Sequence, residues 1–258
     1  MKRLVVLGGG ESGVGTAILG KKEGYDVFVS DFGKIKDNYR DVLNQYEIQW
    51  ENEQHTEDLI LNADVVMKSP GIPEKAPIVK KLIEKGVPVI SEIEFANDFT
   101  KAMTIGITGS NGKTTTTMLT YHLLKEGGLN VGLGGNIGKS FAWQVAEENY
   151  DSYVLELSSF QLDGIINYKP HIAIITNISP DHLDRYDYKY ENYIASKFRI
   201  TMNQTEEDYL IYDADDEAIS NWLQNNKVKA QLIPFSISKS VENGAFLNNN
   251  TMEININQ

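Results

Sequence analysis

The sequence predicts an α/β protein made of two successive domains, each a parallel sheet with helices between its strands. Two observations carry that expectation. Short apolar runs of strand length alternate with stretches of helical periodicity along most of the chain, the pattern left by strand–helix–strand units. Two of these runs meet glycine-rich turns, Gly8-Gly9-Gly10-Glu11-Ser12-Gly13 and Gly106-Ile107-Thr108-Gly109-Ser110-Asn111-Gly112-Lys113, and a helical pattern follows each turn. The pattern restarts with the second of them, which sets a boundary near Lys101 between domains of residues 1–100 and 101–258.

Leu4 to Leu7 reads as the first strand, an unbroken apolar run of the kind buried on both faces of a parallel sheet. Met1-Lys2-Arg3 ahead of it mimics a secretion signal, but three glycines end the run after four residues, too soon for a signal's apolar core. The glycines fit G-x-G-x-x-G, with a helix from about Val14 to Glu23 behind them. A second strand, Asp26 to Ser30, ends at Asp31, about 20 residues beyond the glycines, where a ribose-binding acid belongs. The unit is therefore Rossmann-like, and its ligand stays open because such folds host many. A helix over Asn38 to Tyr46 comes next. A strand over Val65 to Met67 then runs into Ser69-Pro70-Gly71-Ile72-Pro73, a turn signal at a carboxyl-terminal strand end, where open α/β sheets bind ligands. A helix over Ala76 to Lys85, a strand over Val87 to Ile90 and a helix over Glu92 to Phe99 complete the first domain.

Met103 to Ile107 is the strand that opens the second domain, and Met118 to Lys125 carries the helical spacing after it. A glycine turn between the two leaves backbone N–H groups unpaired and pointing outward, and the helix dipole adds to them, so an anion is favoured there. Lys113 supplies a point charge for β- and γ-phosphates, and the Thr114 hydroxyl suits Mg²⁺. Gly109, Ser110, Asn111, Gly112, Lys113, Thr114 and Thr115 thus form a nucleotide-phosphate cradle. The usual loop has four residues between its first glycine and Gly-Lys-[Ser/Thr]; counting from Gly109, only Ser110 and Asn111 intervene. A plain Gly/Asn turn before a threonine-rich helix explains neither the lysine nor the strand before it. The tighter turn implies a variant, P-loop NTPase-like family of nucleotide hydrolases or ligases.

Further along, Val131 to Gly135 is a strand followed by Asn136-Ile137-Gly138, and Phe141 to Glu148 is helical. Tyr153 to Leu157 is an apolar strand holding one carboxylate, Glu156, which is costly there unless paired or bound to metal. His171 to Thr176 is a strand running into Asn177-Ile178-Ser179-Pro180-Asp181-His182-Leu183-Asp184. Glu191 to Met202 reads as a helix carrying Lys197 and Arg199. Strands over Tyr209 to Tyr212 and Gln231 to Phe235 flank a helix over Ala218 to Asn225. A hairpin of Ala245 to Leu247 and Met252 to Ile256 closes the chain.

Composition narrows the function classes. The 258 residues suffice for one large or two medium cores, and 41% hydrophobic content excludes a disordered chain. No run approaches the roughly 18 apolar residues of a spanning helix. A net charge of −12 disfavours nucleic acid or an anionic membrane as partner. The absence of cysteine rules out disulfides and thiolate metal sites and is compatible with the cytoplasm.

Lys113, Glu156 and His182 all fall at or just beyond the ends of expected parallel strands, which share one edge of a continuous sheet. A hard cation bridging phosphate oxygens wants a hydroxyl and a carboxylate, which Thr114 and Glu156 can supply. Of the four histidines, His55, His122 and His171 have no motif around them and read as surface or packing residues. His182, in a loop between two aspartates, reads as functional.

Taken in order, Thr108-Gly109-Ser110-Asn111-Gly112-Lys113-Thr114-Thr115, Gly134-Gly135-Asn136-Ile137-Gly138, Glu156-Leu157-Ser158-Ser159-Phe160-Gln161-Leu162, the Asn177–Asp184 segment and Lys197-Phe198-Arg199-Ile200 resemble the Mur ligases, ATP-dependent amide-forming enzymes of bacterial peptidoglycan synthesis. The Glu-Leu-Ser-Ser-Phe-Gln-Leu version is similar to that of the branch that adds D-glutamate to UDP-N-acetylmuramoyl-L-alanine, as are the first glycine loop and Ser69-Pro70-Gly71. The resemblance spans nearly the whole chain. It implies an acyl phosphate made from ATP, attacked by the amine of D-glutamate. Lys113 would hold the β- and γ-phosphates, Thr114 and Glu156 one Mg²⁺ and His182 a second. Lys197 would be a carbamylated lysine that acts as an anionic metal ligand. Asn136 and Ser159 would touch the muramoyl part of the substrate and Gln161 would join the UDP-substrate site, with Asn136 counted among the catalytic residues beside Lys113, His182 and Lys197. Ser12 and Gly13 would hold the pyrophosphate, with Asp31 and Phe32 near the uracil and Ser69 and Gly71 lining the UDP site. A cytoplasmic monomer without nucleic-acid or membrane partners is expected.

The family's third, amino-acid-binding domain has no counterpart here, nor does its Gly-x-His-Asn-x-x-Asn segment. The expectation is an incomplete central domain in a chain that binds UDP-substrate but ligates poorly alone. Three other readings stay open. G-x-G-x-x-G with Asp31 fits a nicotinamide oxidoreductase, which has no need of a lysine-bearing phosphate loop. A sibling ligase would take another amino acid, and a non-catalytic module would bind nucleotide without turnover.

Overall fold

The computed structural model describes residues 1–256, which form two compact units. Unit 1 contains Met1–Lys101, Gly132–Asp151 and Asp163–Asn167; unit 2 contains Ala102–Val131, Ser152–Leu162 and the chain from Tyr168.

The first part of unit 1 alternates β1 (Arg3–Leu7), α1 (Glu11–Lys22), β2 (Asp26–Asp31), α2 (Asp37–Gln45), β3 (Gln49–Asn52), α3 (Glu57–Ile60), β4 (Val65–Lys68), α4 (Pro77–Glu84), β5 (Val89–Ile90) and α5 (Glu92–Asn97). Its sheet has the order β3-β2-β1-β4-β5 with every pair parallel, the Rossmann-like arrangement. Val5 and Leu7 of the central β1 pack with Phe28, Val66, Val79 and Leu82 in a dry core, because helices bury both faces of a parallel sheet. β3 and α3 go beyond the sequence expectation. β3 is the polar edge segment Gln-Trp-Glu-Asn, of which only Glu51 is buried, and α3 is too short to show a period.

The chain continues with β6 (Met103–Thr108), α6 (Lys113–Glu126), β7 (Val131–Gly135), α7 (Phe141–Glu147), β8 (Ser152–Glu156), α8 (Ser159–Asp163), β9 (Ile172–Ile175), α9 (Tyr190–Phe198), β10 (Tyr209–Asp213), α10 (Glu217–Asn225), β11 (Gln231–Ser236), β12 (Gly244–Asn248) and β13 (Thr251–Asn255). β7 starts in unit 2 at Val131 and passes into unit 1, which also holds α7. Within unit 2 the strands run β13-β12-β11-β10-β9-β6-β8, parallel except for the final hairpin. Ile105, Ile107, Val131 and Val154 centre its core.

The two largest differences from the sequence reading in helix boundaries fall in α6 and α9. α6 begins at Lys113 rather than Met118. Its first turn is a run of threonines, whose β-branched side chains read weakly as helix, and it is launched by Gly112 at φ 77°. α9 stops at Phe198 and tightens into a 3₁₀ turn over Arg199–Thr201.

Candidate functional site

In unit 2 the parallel register aligns the functional strand ends. Ile107 pairs with Glu156 of β8, and Thr108 pairs with Ile175 of β9, so the loops after β6, β8 and β9 leave from one edge. Thr114 Oγ1 donates to Glu156 Oε2 at 2.7 Å, and Glu156 is only 1% exposed. The acid inside the apolar strand thus has a partner, and it is the hydroxyl expected beside it. Lys113 Nζ lies over the same loop, donating to Ser110 O at 2.8 Å. Gly109 sits at φ 150°, and a Cβ there would lie 2.0 Å from Thr176 Oγ1, so any side chain would drive this loop off the β9 end.

One expectation needs correction. The loop's N–H groups are not all unpaired: Ser110 N donates to Asn177 O and Asn111 N to Asn177 Oδ1, both at 2.9 Å. Asn177 Nδ2 and Thr176 Oγ1 donate in turn to Asn111 O. The Ser110 hydroxyl bonds Ser179 O and lies 3.2 Å from the Tyr193 hydroxyl. Burial, eased by the Ser110 hydrogen bond and reinforced by the Asp181 carboxylate, pushes the Tyr193 pKa up and keeps it neutral. Sequence reasoning gave Thr176, Asn177 and Tyr193 no role. Side-chain amides and hydroxyls in a loop carry no spacing signal, although Asn177 stands inside a motif quoted for other residues.

Lys197 is buried at 1% exposure; its Nζ donates to Gly109 O at 2.8 Å and stands 4.6 Å from the Tyr193 ring centre. It is therefore no solvated helix lysine, since a buried ammonium needs such compensation. His182 is half exposed, in a left-handed conformation at φ 50°, with its N–H held by Asp181 Oδ1 at 2.8 Å. Its ring packs 5.1 Å from that of Phe160, in the loop beyond β8. Ser159 and Gln161 are both buried. Gln161 Oε1 accepts from Ser158 N and Oγ, and Ser159 O accepts from Ser196 Oγ.

In unit 1 the glycine loop, Asp31 and Ser69 come together at the carboxyl ends of β1, β2 and β4. Asp31 Oδ2 accepts from Gly9 N at 2.6 Å and Oδ1 from Gly33 N at 2.7 Å, so the acid ties the loop to β2. A Cβ on Gly13 would lie 1.8 Å from Gly8 O, which is why the helix can start so close behind the strand. Phe32 is exposed, as are Gly71 and Asn136. Ser12 is partly buried. His55, set aside in the sequence, lies against this end of β2: its Nδ1 is 2.7 Å from Ser30 Oγ and its ring 5.6 Å from Phe32.

No group of three or more His, Cys, Asp or Glu side chains converges among the described residues. A Thr hydroxyl beside one carboxylate is nevertheless the donor set Mg²⁺ accepts, because that ion keeps several waters and takes the rest of its oxygens from phosphate.

The family model described as Mur ligase middle domain matches residues 107–257, more than half of the chain and the whole of the loop system of unit 2. The chain belongs to the Mur ligase family. A second model, MurD N-terminal domain, matches residues 3–78. Among curated relatives, this Mur ligase chain is 68% identical over 256 residues to the UDP-N-acetylmuramoylalanine–D-glutamate ligase of Christiangramia forsetii, covering 99% of this chain and 58% of that protein. It is 58% identical to the enzyme of the same name from Bacteroides thetaiotaomicron, covering 95% of this chain and 55% of that one. The chain thus spans a little over half the length of these relatives. A solved UDP-N-acetylmuramate:L-alanyl-γ-D-glutamyl-meso-diaminopimelate ligase from Neisseria meningitides superposes with a TM-score of 0.66 at 19% identity, over 95% of this chain and 80% of that one. A UDP-N-acetylmuramate–alanine ligase from Thermotoga maritima gives 0.57 at 22% identity, over 93% and 53%. These likenesses bear on the fold alone.

Proposed function

We propose that this chain carries the ATP-phosphate site and the UDP-substrate site for joining D-glutamate to the L-alanine carboxylate of UDP-N-acetylmuramoyl-L-alanine, in peptidoglycan precursor synthesis. The observation that supports it most is the Thr114–Glu156 pair on the strand edge that also bears the Lys113 loop. The reading takes its substrates from the names of the relatives that match nearly all of this chain.

In the proposed reaction a substrate carboxylate oxygen takes the γ-phosphoryl group of ATP, releasing ADP. The amine of D-glutamate attacks the acyl carbon, loses a proton and expels phosphate, leaving an amide. Phosphoryl transfer asks the protein mainly to position and neutralise charge. Lys113 does so for the β- and γ-phosphates. Thr114 and Glu156 would hold one Mg²⁺, which supplies charge neutralisation on the phosphate oxygens when bound; His182 would serve a second. Lys197 is proposed as the carbamylated lysine: CO₂ adds to the neutral amine with loss of a proton, and the remaining N–H can keep its bond to Gly109 O. In unit 1, Ser12 and Gly13 would meet the pyrophosphate, Asp31 and Phe32 the uracil end, and Ser69, Gly71 and Asn136 the remainder of the UDP-substrate.

The test is ADP release with each candidate amino acid and acceptor offered in turn. D-Glutamate with UDP-N-acetylmuramoyl-L-alanine should be the productive pair. Equal release with L-alanine and UDP-N-acetylmuramate would overturn the assignment in favour of a sibling ligase.

A further inference from the structure

Outside the residues used so far, the most deeply buried acid with incomplete bonding in unit 1 is Glu92, the first residue of α5, at 1% exposure. Its Oε1 accepts from Ser140 Oγ at 2.5 Å and from Ala142 N at 3.0 Å, whereas Oε2 is buried without a hydrogen-bond partner. The Ser12 hydroxyl also interacts with this carboxyl. Ser140 is the N-cap of α7, accepting from Trp143 N, and its own N–H donates to Glu11 Oε1 at 3.0 Å. Glu11 opens α1, directly before Ser12. Two acids from two helices therefore grip Ser140, four residues beyond Asn136.

A hydrocarbon side chain would fill this position more cheaply than a buried carboxyl. What the carboxyl alone achieves is to bond the start of α7 at Ser140 and Ala142 from beside Ser12, while Glu11, the neighbour of Ser12, bonds the same Ser140. Burial pushes its pKa up; hydrogen bonds from Ser12, Ser140 and Ala142 offset part of that, and the Glu11 charge adds to it. Oε1 is the acceptor for both Ser140 and Ala142.

We infer that Glu92 is a positioning residue for the UDP-substrate: it fixes the Asn136 loop, through Ser140, against the Ser12 end of the glycine loop. The inference rests on the proposed reading of unit 1 as the UDP-substrate site. Glutamine has the same shape and the same acceptor, so Glu92→Gln should keep the geometry, while Glu92→Ala and Ser140→Ala each break it, one from either side.

The experiment is calorimetric binding of UDP-N-acetylmuramoyl-L-alanine and, separately, of ATP to wild type and the three variants, with melting temperatures recorded alongside. Losing the link should weaken UDP-substrate binding about tenfold in Glu92→Ala and Ser140→Ala, the effect of one hydrogen bond to a well-placed group. Glu92→Gln should stay within about twofold of wild type, and ATP affinity should not move in any variant. If Glu92→Ala does not fold, Ser140→Ala decides. Unchanged UDP-substrate affinity in folded Glu92→Ala or Ser140→Ala, or a parallel loss of ATP affinity that marks a merely structural role, overturns the inference. A wild type that binds ATP but no UDP-substrate defeats the proposed function itself, a result distinguishable from either.

Discussion

The two glycine loops of this chain follow a strand and precede a helix in the same way, yet they are held by opposite chemistry. The loop of unit 1 is tied by carboxylates: Asp31 takes Gly9 N, while Glu11 and Glu92 grip the segment beside Ser12. The loop of unit 2 is tied by Thr176 and Asn177 side chains, by Ser179 O and by the Lys197 ammonium on Gly109 O, with no carboxylate, and it adds Lys113. A loop anchored by carboxyl groups is poorly suited to a triphosphate and tolerates an anion of lower charge density. A loop held without carboxylates keeps its lysine and helix dipole available to phosphate. On the proposed assignment of the two sites, the residues that anchor the glycines, and not the strand–glycine–helix architecture the loops share, select the ligand.

The sharpest way to break this contrast is Lys113→Ala. Removing a charged donor to phosphate should weaken ATP binding about 10- to 150-fold, since such a hydrogen bond is worth roughly 1.5–3 kcal/mol. UDP-substrate affinity should be unchanged. A fluorescent ATP analogue titrated against both proteins reads the effect directly. ATP affinity within twofold of wild type would mean that the neutral anchors, not the lysine, make the phosphate site.

How much of this was legible in the sequence follows from what each feature is made of. β1, β8 and β9 are built on apolar runs, and both glycine turns stand between a strand and a helix, so the fold class and the places of the two turns could be read directly. The Thr114–Glu156 pair was foreseeable because a carboxylate inside an apolar strand demands a partner. Asn177 was not, because its bonds to Asn111 join residues 66 apart through a loop with no periodic signal. Glu92 was read only as the start of a polar–apolar helix, since burial of a first-turn acid appears only when α1, α5 and α7 are all in place. Asp31 carried the right position, but its two oxygens bond Gly9 and Gly33, anchoring the loop, which spacing cannot distinguish from ligand binding.

Asn177→Ala sharpens the comparison from the side of the neutral anchors. It deletes an acceptor for Asn111 N and a donor to Asn111 O, two bonds that together contribute about 1–3 kcal/mol to holding the loop. The backbone bond from Ser110 N to Asn177 O survives, so the loop should loosen rather than unfold. ATP affinity should fall by less than in Lys113→Ala, and hydrogen exchange of the Ser110 and Asn111 amides should accelerate. Unaltered exchange at both amides would show that Thr176 and Ser179 suffice.

The smallest effects, read from the pH dependence of stability, separate the acids of the two units by sign. Burial raises the Glu92 pKa, so the folded state favours its neutral form; the stability this contributes is full below the ordinary carboxylate value and is lost as pH rises through the raised pKa. Asp215 in unit 2 behaves oppositely. Hydrogen bonds led by the Ser238 hydroxyl, joined by Ser236 and the amides of Ile237 and Ser238, lower its pKa from 3.8 to about 2 against a smaller opposing effect of burial. Its contribution is present above the ordinary value and disappears as pH falls toward 2. Melting temperatures measured across the pH range should therefore show Glu92→Gln gaining on wild type as pH rises from the carboxylate range. Asp215→Asn should sit below wild type at neutral pH and converge on it in acid. A Glu92→Gln curve parallel to wild type throughout would mean that Glu92 titrates alike in folded and unfolded chains. Three helix starts would then hold its charge as readily as water does, and the difference between the two loops would lie in their anchors' geometry rather than in their charge.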